Sequence, residues 1–267
     1  MNARYLRYPA RAWRSVKLSV KWLGWLPRNL RARRRWMSLK DRPVEDLGLF
    51  EMRAHSQNGE DGILRIIFHK IGLTNRFCVE FGVGDGAECN TRRLVRNEGW
   101  NYLHMDCKDH LPRGIKKEKI TAENIQHLFA KYDVPGQFDL LSIDIDSNDY
   151  WVWKAIESYS PRVVVIEYNA SIPVGESKTV PYNPSAAWDH SDYYGASLRA
   201  LWKLGRSKGY TLVACDSRGV NAFFVRDDLA GAHFPVKDIA DIYRPPKYGR
   251  KTHGGGYRPS GKTMVDV

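Results

Sequence analysis

The chain has 267 residues, 43% hydrophobic and 12% aromatic, enough apolar surface for the core of one large domain or two small ones and too much for a disordered or fibrous chain. Its formal charge of +12 is unevenly placed: residues 1–40 carry 12 Lys and Arg and no acid, whereas residues 41–267 carry 30 basic and 30 acidic residues. A neutral body with one cationic arm excludes a uniformly basic nucleic-acid coat.

The arm, residues 1–40, interleaves Arg4, Arg7, Arg11, Arg14, Lys17, Lys21 and Arg31 with Tyr5, Tyr8, Trp13, Trp22, Trp25 and Trp36. Cations attract anionic headgroups and Trp and Tyr favour the wet edge of a bilayer, so this mixture predicts peripheral attachment to an anionic membrane surface. A solvated leader and an RNA-binding arm are the competing readings. Residues 16–26 are interrupted by Lys17 and Lys21, and no run approaches the about 20 apolar residues that a membrane span needs. The same interruption argues against a cleavable signal peptide.

From residue 41 to 243, strand-like runs alternate with helical stretches. The pattern predicts a helix over 56–71, strands over 76–81 and 101–106, a helix over 121–132, a strand over 138–144 and a helix over 147–159 stopped before Pro161. A strand over 162–168, a helix over 196–208 closed by Gly209, and strands over 210–215 and 221–226 follow. Such alternation predicts an α/β fold, a doubly wound, mostly parallel sheet. Only "DSRGV" separates the last two strands, so the sheet ends in an antiparallel hairpin. Trp151 and Trp153 read as helix packing. Residues 244–267, which include "RPPKYGRKTHGGGYRPSGK", read as a flexible basic tail. Cys78, Cys89, Cys107 and Cys215 show no CxxC spacing; they read as small core hydrophobes in a reducing, cytoplasmic setting, with the arm at the inner membrane face.

In an open α/β sheet ligands bind beyond the carboxyl ends of the strands, and here acids close them: Glu80, Asp106, Asp144 with Asp146, and Glu167. "EFGVGDGAE" supplies Gly82, Gly84 and Gly86, where backbone can turn tightly against a ligand. A glycine-rich first turn with an acid ending the second strand holds an adenosine-type ligand by its ribose hydroxyls. Gly82, Gly84 and Ala87 satisfy G-x-G-x-x-A, which suits a nicotinamide dinucleotide. Glu80, Asp85 and Glu88 crowd that turn with negative charge, which disfavours a pyrophosphate and suits the sulfonium and ammonium of S-adenosylmethionine.

The core resembles the FkbM-type family of class I S-adenosylmethionine-dependent methyltransferases. The likeness rests on "SQNGEDGIL", "CVEFGVGDGAECNT", "GWNYLHMD", "ITAENI", "FDLLSIDIDSNDYWVWKAI" and "VVVIEYNA", and spans about residues 50–230. It implies a Rossmann-like fold in which Glu80, Gly82, Gly84 and Gly86 border the methionine moiety, Asp106 binds the ribose and Asn124 lies near the adenine.

Methyl transfer asks a protein to align an acceptor and take its proton. Asp144, Asp146, Glu167 and Asn169, alternating at two strand ends, could together present oxygens to Mg2+, which would acidify a bound hydroxyl. The competing reading has Asp144 on the cofactor, with Asp146 and Asp149 capping the helix near Ser147. His190, in "SAAWDHSDYYGASL", is the candidate general base, against a plain surface-loop histidine, and Asp146 is a second candidate catalytic residue. Asp192, Tyr193 and Tyr194 share that loop and are candidates for shaping an acceptor pocket. The expected function is O-methylation of a saccharide, glycolipid or related metabolite. An RNA methyltransferase, and a non-catalytic membrane-associated interaction protein with a decayed pocket, are the alternatives.

Overall fold

The computed structural model describes residues 34, 36–38, 44–109, 112, 114–249 and 255–267; the arm expected over 1–40 lies almost wholly outside them. β-Branched and aromatic runs form β1 (Phe77–Phe81), β2 (Asn101–Asp106), β3 (Ile115–Lys117), β4 (Gln137–Ile143) and β5 (Ser160–Glu167), all parallel. After β6 (Lys178–Thr179) come β7 (Tyr210–Cys215) and β8 (Asn221–Arg226), which form the antiparallel hairpin, with β8 beside β5. The sheet order is β3-β2-β1-β4-β5-β8-β7. All six strands expected from the sequence form within two residues of their expected ends. The architecture is a doubly wound, mostly parallel, Rossmann-like α/β sheet with a terminal antiparallel hairpin.

The helices are α1 (Glu60–Ile71), α2 (Arg92–Glu98), α3 (Ile125–Lys131), α4 (Asp149–Ala155), α5 (Leu198–Ser207), α6 (Asp227–Ala230) and α7 (Ile239–Ile242). Several start later than expected because side chains capture the backbone first. Asp61 Oδ2 accepts from the N–H groups of Ala54, His55 and Ser56 at 2.7–2.8 Å, which leaves α1 to begin after Gly59. Thr121 N–H donates to Asn124 Oδ1 (2.9 Å) and Asn124 N–H to Thr121 Oγ1 (3.3 Å), so α3 begins at 125. Helix α2 buries only Leu94, too thin a stripe to show in the sequence.

Alternate strand residues face opposite layers. Val79, Phe81, Leu141, Ile143, Val164 and Ile166 pack under α3, α4 and α5; Cys78, Leu140, Val163 and Val165 pack under α1. Trp153 lies against Tyr210 and Phe224. Cys78, Cys89 and Cys215 are buried as expected, whereas Cys107, just past the end of β2, is exposed. Among the described residues no helix is long and apolar enough to cross a membrane.

Of the tail expected over 244–267, the described residues 255–267 pair with the body of the protein. Its Gly- and Pro-rich composition leaves backbone groups free to pair elsewhere, and they do. β9 (Val265–Asp266) pairs with β6, Arg258 carbonyl accepts from Asp192 N–H (3.0 Å), and Ser260 N–H donates to Asp192 Oδ1 (2.8 Å).

Opposite the strand ends that close on acids, Asp139 in β4 is wholly buried. Its carboxylate accepts from Thr74, Asn75 and Arg76 N–H and from the Arg162 guanidinium at 2.8 Å, and Arg162 also donates to Ile71 and Gly72 carbonyls. Asp139→Ala would bury that guanidinium without its counter-charge, a loss of about 3–5 kcal/mol. Urea denaturation is expected to show a correspondingly lower midpoint.

Candidate active site

The site begins where β1 and β4 end. Gly82 has φ +79°, and a Cβ there would lie 1.4 Å from the Asp144 carbonyl oxygen, so only glycine lets the two strand ends pass. Gly82 N–H donates to Met105 carbonyl at 3.0 Å, which continues the β1–β2 ladder past the strand. Gly84 N–H then donates to Asp106 Oδ2 (2.7 Å), and Lys108 N–H to Asp106 Oδ1 (2.9 Å). The buried Asp106 carboxylate thus fixes both the glycine turn and the start of the next loop. A cleft of about 130 Å³ opens there, with Gly82, Asp106, Lys108, Ile120, Asp144 and Asp146 among its lining residues.

Glu80 does not line that cleft. Buried inside β1, it accepts from Asn90 N–H (2.8 Å), Thr91 N–H (2.9 Å), Thr91 hydroxyl (2.5 Å) and Ser142 hydroxyl (3.2 Å), tying the far end of the glycine loop to the sheet. Burial raises its pKa and those bonds oppose the rise. Gly84 and Gly86, both at positive φ, likewise build the loop. Asn124 also lies off the lining: its Oδ1 accepts from Thr121 N–H and its Nδ2 donates to Lys119 carbonyl (2.8 Å), so both ends of the amide serve the entry to α3.

Asp144 and Asp146 of the cleft wall and Glu167 beside them bring carboxylate oxygens within 4.8 Å of one another. Burial first, and then the neighbouring carboxylates, raise the pKa values of Asp144 and Glu167 well above the ordinary range. Glu167 Oε2 is buried with no hydrogen-bond partner among the described residues. Asp149, at the start of α4, accepts from Ile145 N–H (2.8 Å) with one oxygen while the other has no such partner. Its burial, with Asp146 nearby, raises it to about 7. Three hard oxygen donors gathered in this way suit a small divalent cation. Asn169 does not join them. Its Nδ2 donates to Asp192 and Tyr194 carbonyls (2.7 and 2.9 Å) and its Oδ1 accepts from Ser171 N–H (3.0 Å), because the wholly buried amide must satisfy itself locally.

Asp146 (φ +62°) and His190 (φ +61°) both hold the left-handed conformation that non-glycine residues rarely adopt. They are near enough that His190 and Lys108 lower the pKa of Asp146, although the cleft walls raise it overall. His190 is exposed, its ring 4.6 Å from that of Trp188. Behind it stand Tyr194, Tyr248 and Tyr257: Tyr194 and Tyr248 hydroxyls lie 2.5 Å apart, and the Tyr257 ring is 4.6 Å from Trp188. Burial, then Glu167, raises Tyr257 to about 12. The sequence offered no signal for Tyr248 or Tyr257, since both sit in the segment that composition marks as a tail.

No family model matches the chain, and no curated protein does. Among solved structures, the N-terminal domain of EvdMO1, crystallised in the presence of SAH and D-fucose, is similar at TM-score 0.40 and 13% identity, covering 66% of this chain and 84% of that one. The citrinin polyketide synthase CMeT domain matches at TM-score 0.38 and 12% identity over 63% of this chain and 51% of its own. An S-adenosylmethionine-dependent methyltransferase from Clostridium acetobutylicum ATCC 824 matches at TM-score 0.33 and 10% identity, over 64% and 92%. At this level of likeness, function has to be read from the chain's own residues.

The raised carboxyls give stability a definite pH dependence. Asp149 ordinarily ionises near 3.8 but holds its proton to about 7 in the fold, and Asp216, buried and near Glu60, behaves alike. Between those limits the native state binds more protons than the unfolded chain, so stability falls as pH rises. The thermal midpoint is expected to be higher at pH 5 than at pH 7.5, and Asp149→Asn is expected to flatten part of that slope.

Proposed function

We propose that the chain is an S-adenosylmethionine-dependent methyltransferase that acts on a hydroxyl of a saccharide, glycolipid or related metabolite. One observation carries the reading: a single cleft is lined by a loop-anchored carboxylate, Asp106, by Asp144 and Asp146 of an acidic cluster, and by Gly82, where no side chain fits. That arrangement is complementary to a ligand with a ribose diol at one end and positive charge at the other. Bound there, the cofactor supplies an electrophilic methyl carbon.

The protein's part is alignment and proton removal. Asp106 accepts from the ribose hydroxyls with the lone pairs that Gly84 and Lys108 leave free. Asp144 faces the cationic end. A ring nitrogen of His190 takes the acceptor proton, and Asp146 across the cleft mouth steadies the imidazolium. Asp144, Asp146 and Glu167 would hold Mg2+, which would lower the pKa of a coordinated acceptor hydroxyl. The orphaned Glu167 oxygen supports that fit.

Calorimetric titration of the full chain is expected to show saturable S-adenosylmethionine binding, weakened more than about tenfold in Asp106→Ala, the loss of a charge-assisted bidentate contact. Absence of binding would overturn the reading. On an acceptor so identified, His190→Ala is expected to lower kcat about 10²–10⁴-fold with cofactor affinity unchanged, and chelation to abolish activity that Mg2+ restores.

We propose further that residues 1–40 hold the enzyme on an anionic bilayer, because they account for the whole net charge beside a neutral body. Flotation with phosphatidylserine vesicles is expected for the full chain and lost on deleting residues 1–40; an RNA gel shift without flotation would reverse the assignment.

A further inference from the structure

We infer that the segment 255–267, outside the span of the family resemblance, completes the acceptor subsite, and that this subsite takes one uncharged sugar ring. The inference rests on the methyltransferase reading. A second cleft, of about 370 Å³, opens beside the cofactor cleft, and Ser147 and Ala186 line both. Its size is that of a small-ligand pocket. Asn183, Ser185, Asp189, Tyr193 and Lys262 complete its polar and aromatic wall.

Lys262 belongs there by construction. Ser260 N–H is held by Asp192, Lys262 N–H donates to Ser260 Oγ (3.1 Å), and β9 pins the chain just beyond. The ammonium then meets Asp189 Oδ2 at 2.7 Å and stands 5.0 Å over the Tyr193 ring. Asp189 and Lys262 are the charged side chains of this cleft, and they neutralise one another. A phosphorylated or carboxylated acceptor would have to break that pair to gain a counter-ion. A neutral polyol loses nothing: its hydroxyls find Asp189, Asn183, Ser185 and Ser147, and its C–H face finds Tyr193. The ring would then lie against Ser147, the chain neighbour of Asp146 and a residue of both clefts.

Saturation-transfer NMR on the full chain with saturating S-adenosylhomocysteine tests this, with methyl α-D-glucopyranoside as the neutral probe and glucose 6-phosphate as the anionic one. The glucoside is expected to give signals with the wild type that weaken about tenfold in Tyr193→Ala, the scale of one lost aromatic contact, and fall also in Lys262→Ala. Both variants are expected to bind S-adenosylhomocysteine like the wild type, since neither residue lines the cofactor cleft. Three results would overturn the assignment: no glucoside signal from wild type that binds S-adenosylhomocysteine, equal signals from wild type and both variants, or tighter glucose 6-phosphate binding that Lys262→Ala removes. Failure of the wild type to bind S-adenosylhomocysteine would instead sink the methyltransferase reading.

Discussion

The site depends on one close approach of backbone to backbone. Past the ends of β1 and β4 the chain at Gly82 lies against the Asp144 carbonyl, with no room for a single carbon. That contact removes a side chain from the cleft wall, places Asp144 at the cleft and forces the glycine turn toward Asp106, whose carboxylate receives Gly84. Glu80, buried one turn of the ladder earlier, closes the same loop from its far end by holding Asn90 and Thr91. Two carboxylates therefore act on one loop, Asp106 at the cleft and Glu80 behind it.

The two ends of the sheet handle buried charge in opposite ways. At one end Asp139 meets Arg162 and three N–H groups, a fully satisfied network whose worth is structural. At the other, Asp144, Glu167 and Asp149 are brought together with no Arg or Lys bonded to them among the described residues, and their raised pKa values record the cost. A fold that can pair a buried carboxylate, and leaves this group without such a partner beside a cleft, carries electrostatic strain of the kind found at functional sites.

What the sequence made legible follows from the range of the interactions involved. Strand runs are local and apolar, so all six expected strands stand where periodicity placed them, and the hairpin followed from a five-residue link too short to cross the sheet. Helix starts were misplaced where Asp61 and Asn124 take backbone N–H groups, a choice that depends on tertiary position. Gly82, Asp106, Asp144 and Asp146 line the cleft because strand ends must meet there. The resemblance implied ligand roles for Glu80 and Asn124, and alternation at a strand end suggested one for Asn169, but each bonds within the protein, and no linear pattern distinguishes an amide that binds a ligand from one that holds a loop.

The C-terminal segment shows the same limit from the other side. Glycine and proline mark a stretch that cannot form its own regular structure, and composition alone reads this as freedom. Yet such a chain keeps its backbone donors and acceptors available, and Ser177, Lys178, Asp192 and Asp189 supply partners for them from loops that themselves lack regular pairing. The loop 171–195 and the segment 255–267 each lack what the other provides, so they order together over the strand ends. In a Rossmann-like sheet the cofactor side is set by the strands, while the acceptor side is left to whatever covers them. Here that cover includes the aromatic rings of Tyr248 and Tyr257 and the ammonium of Lys262, so the acceptor subsite we propose would draw on the part of the chain where sequence patterns carry least information.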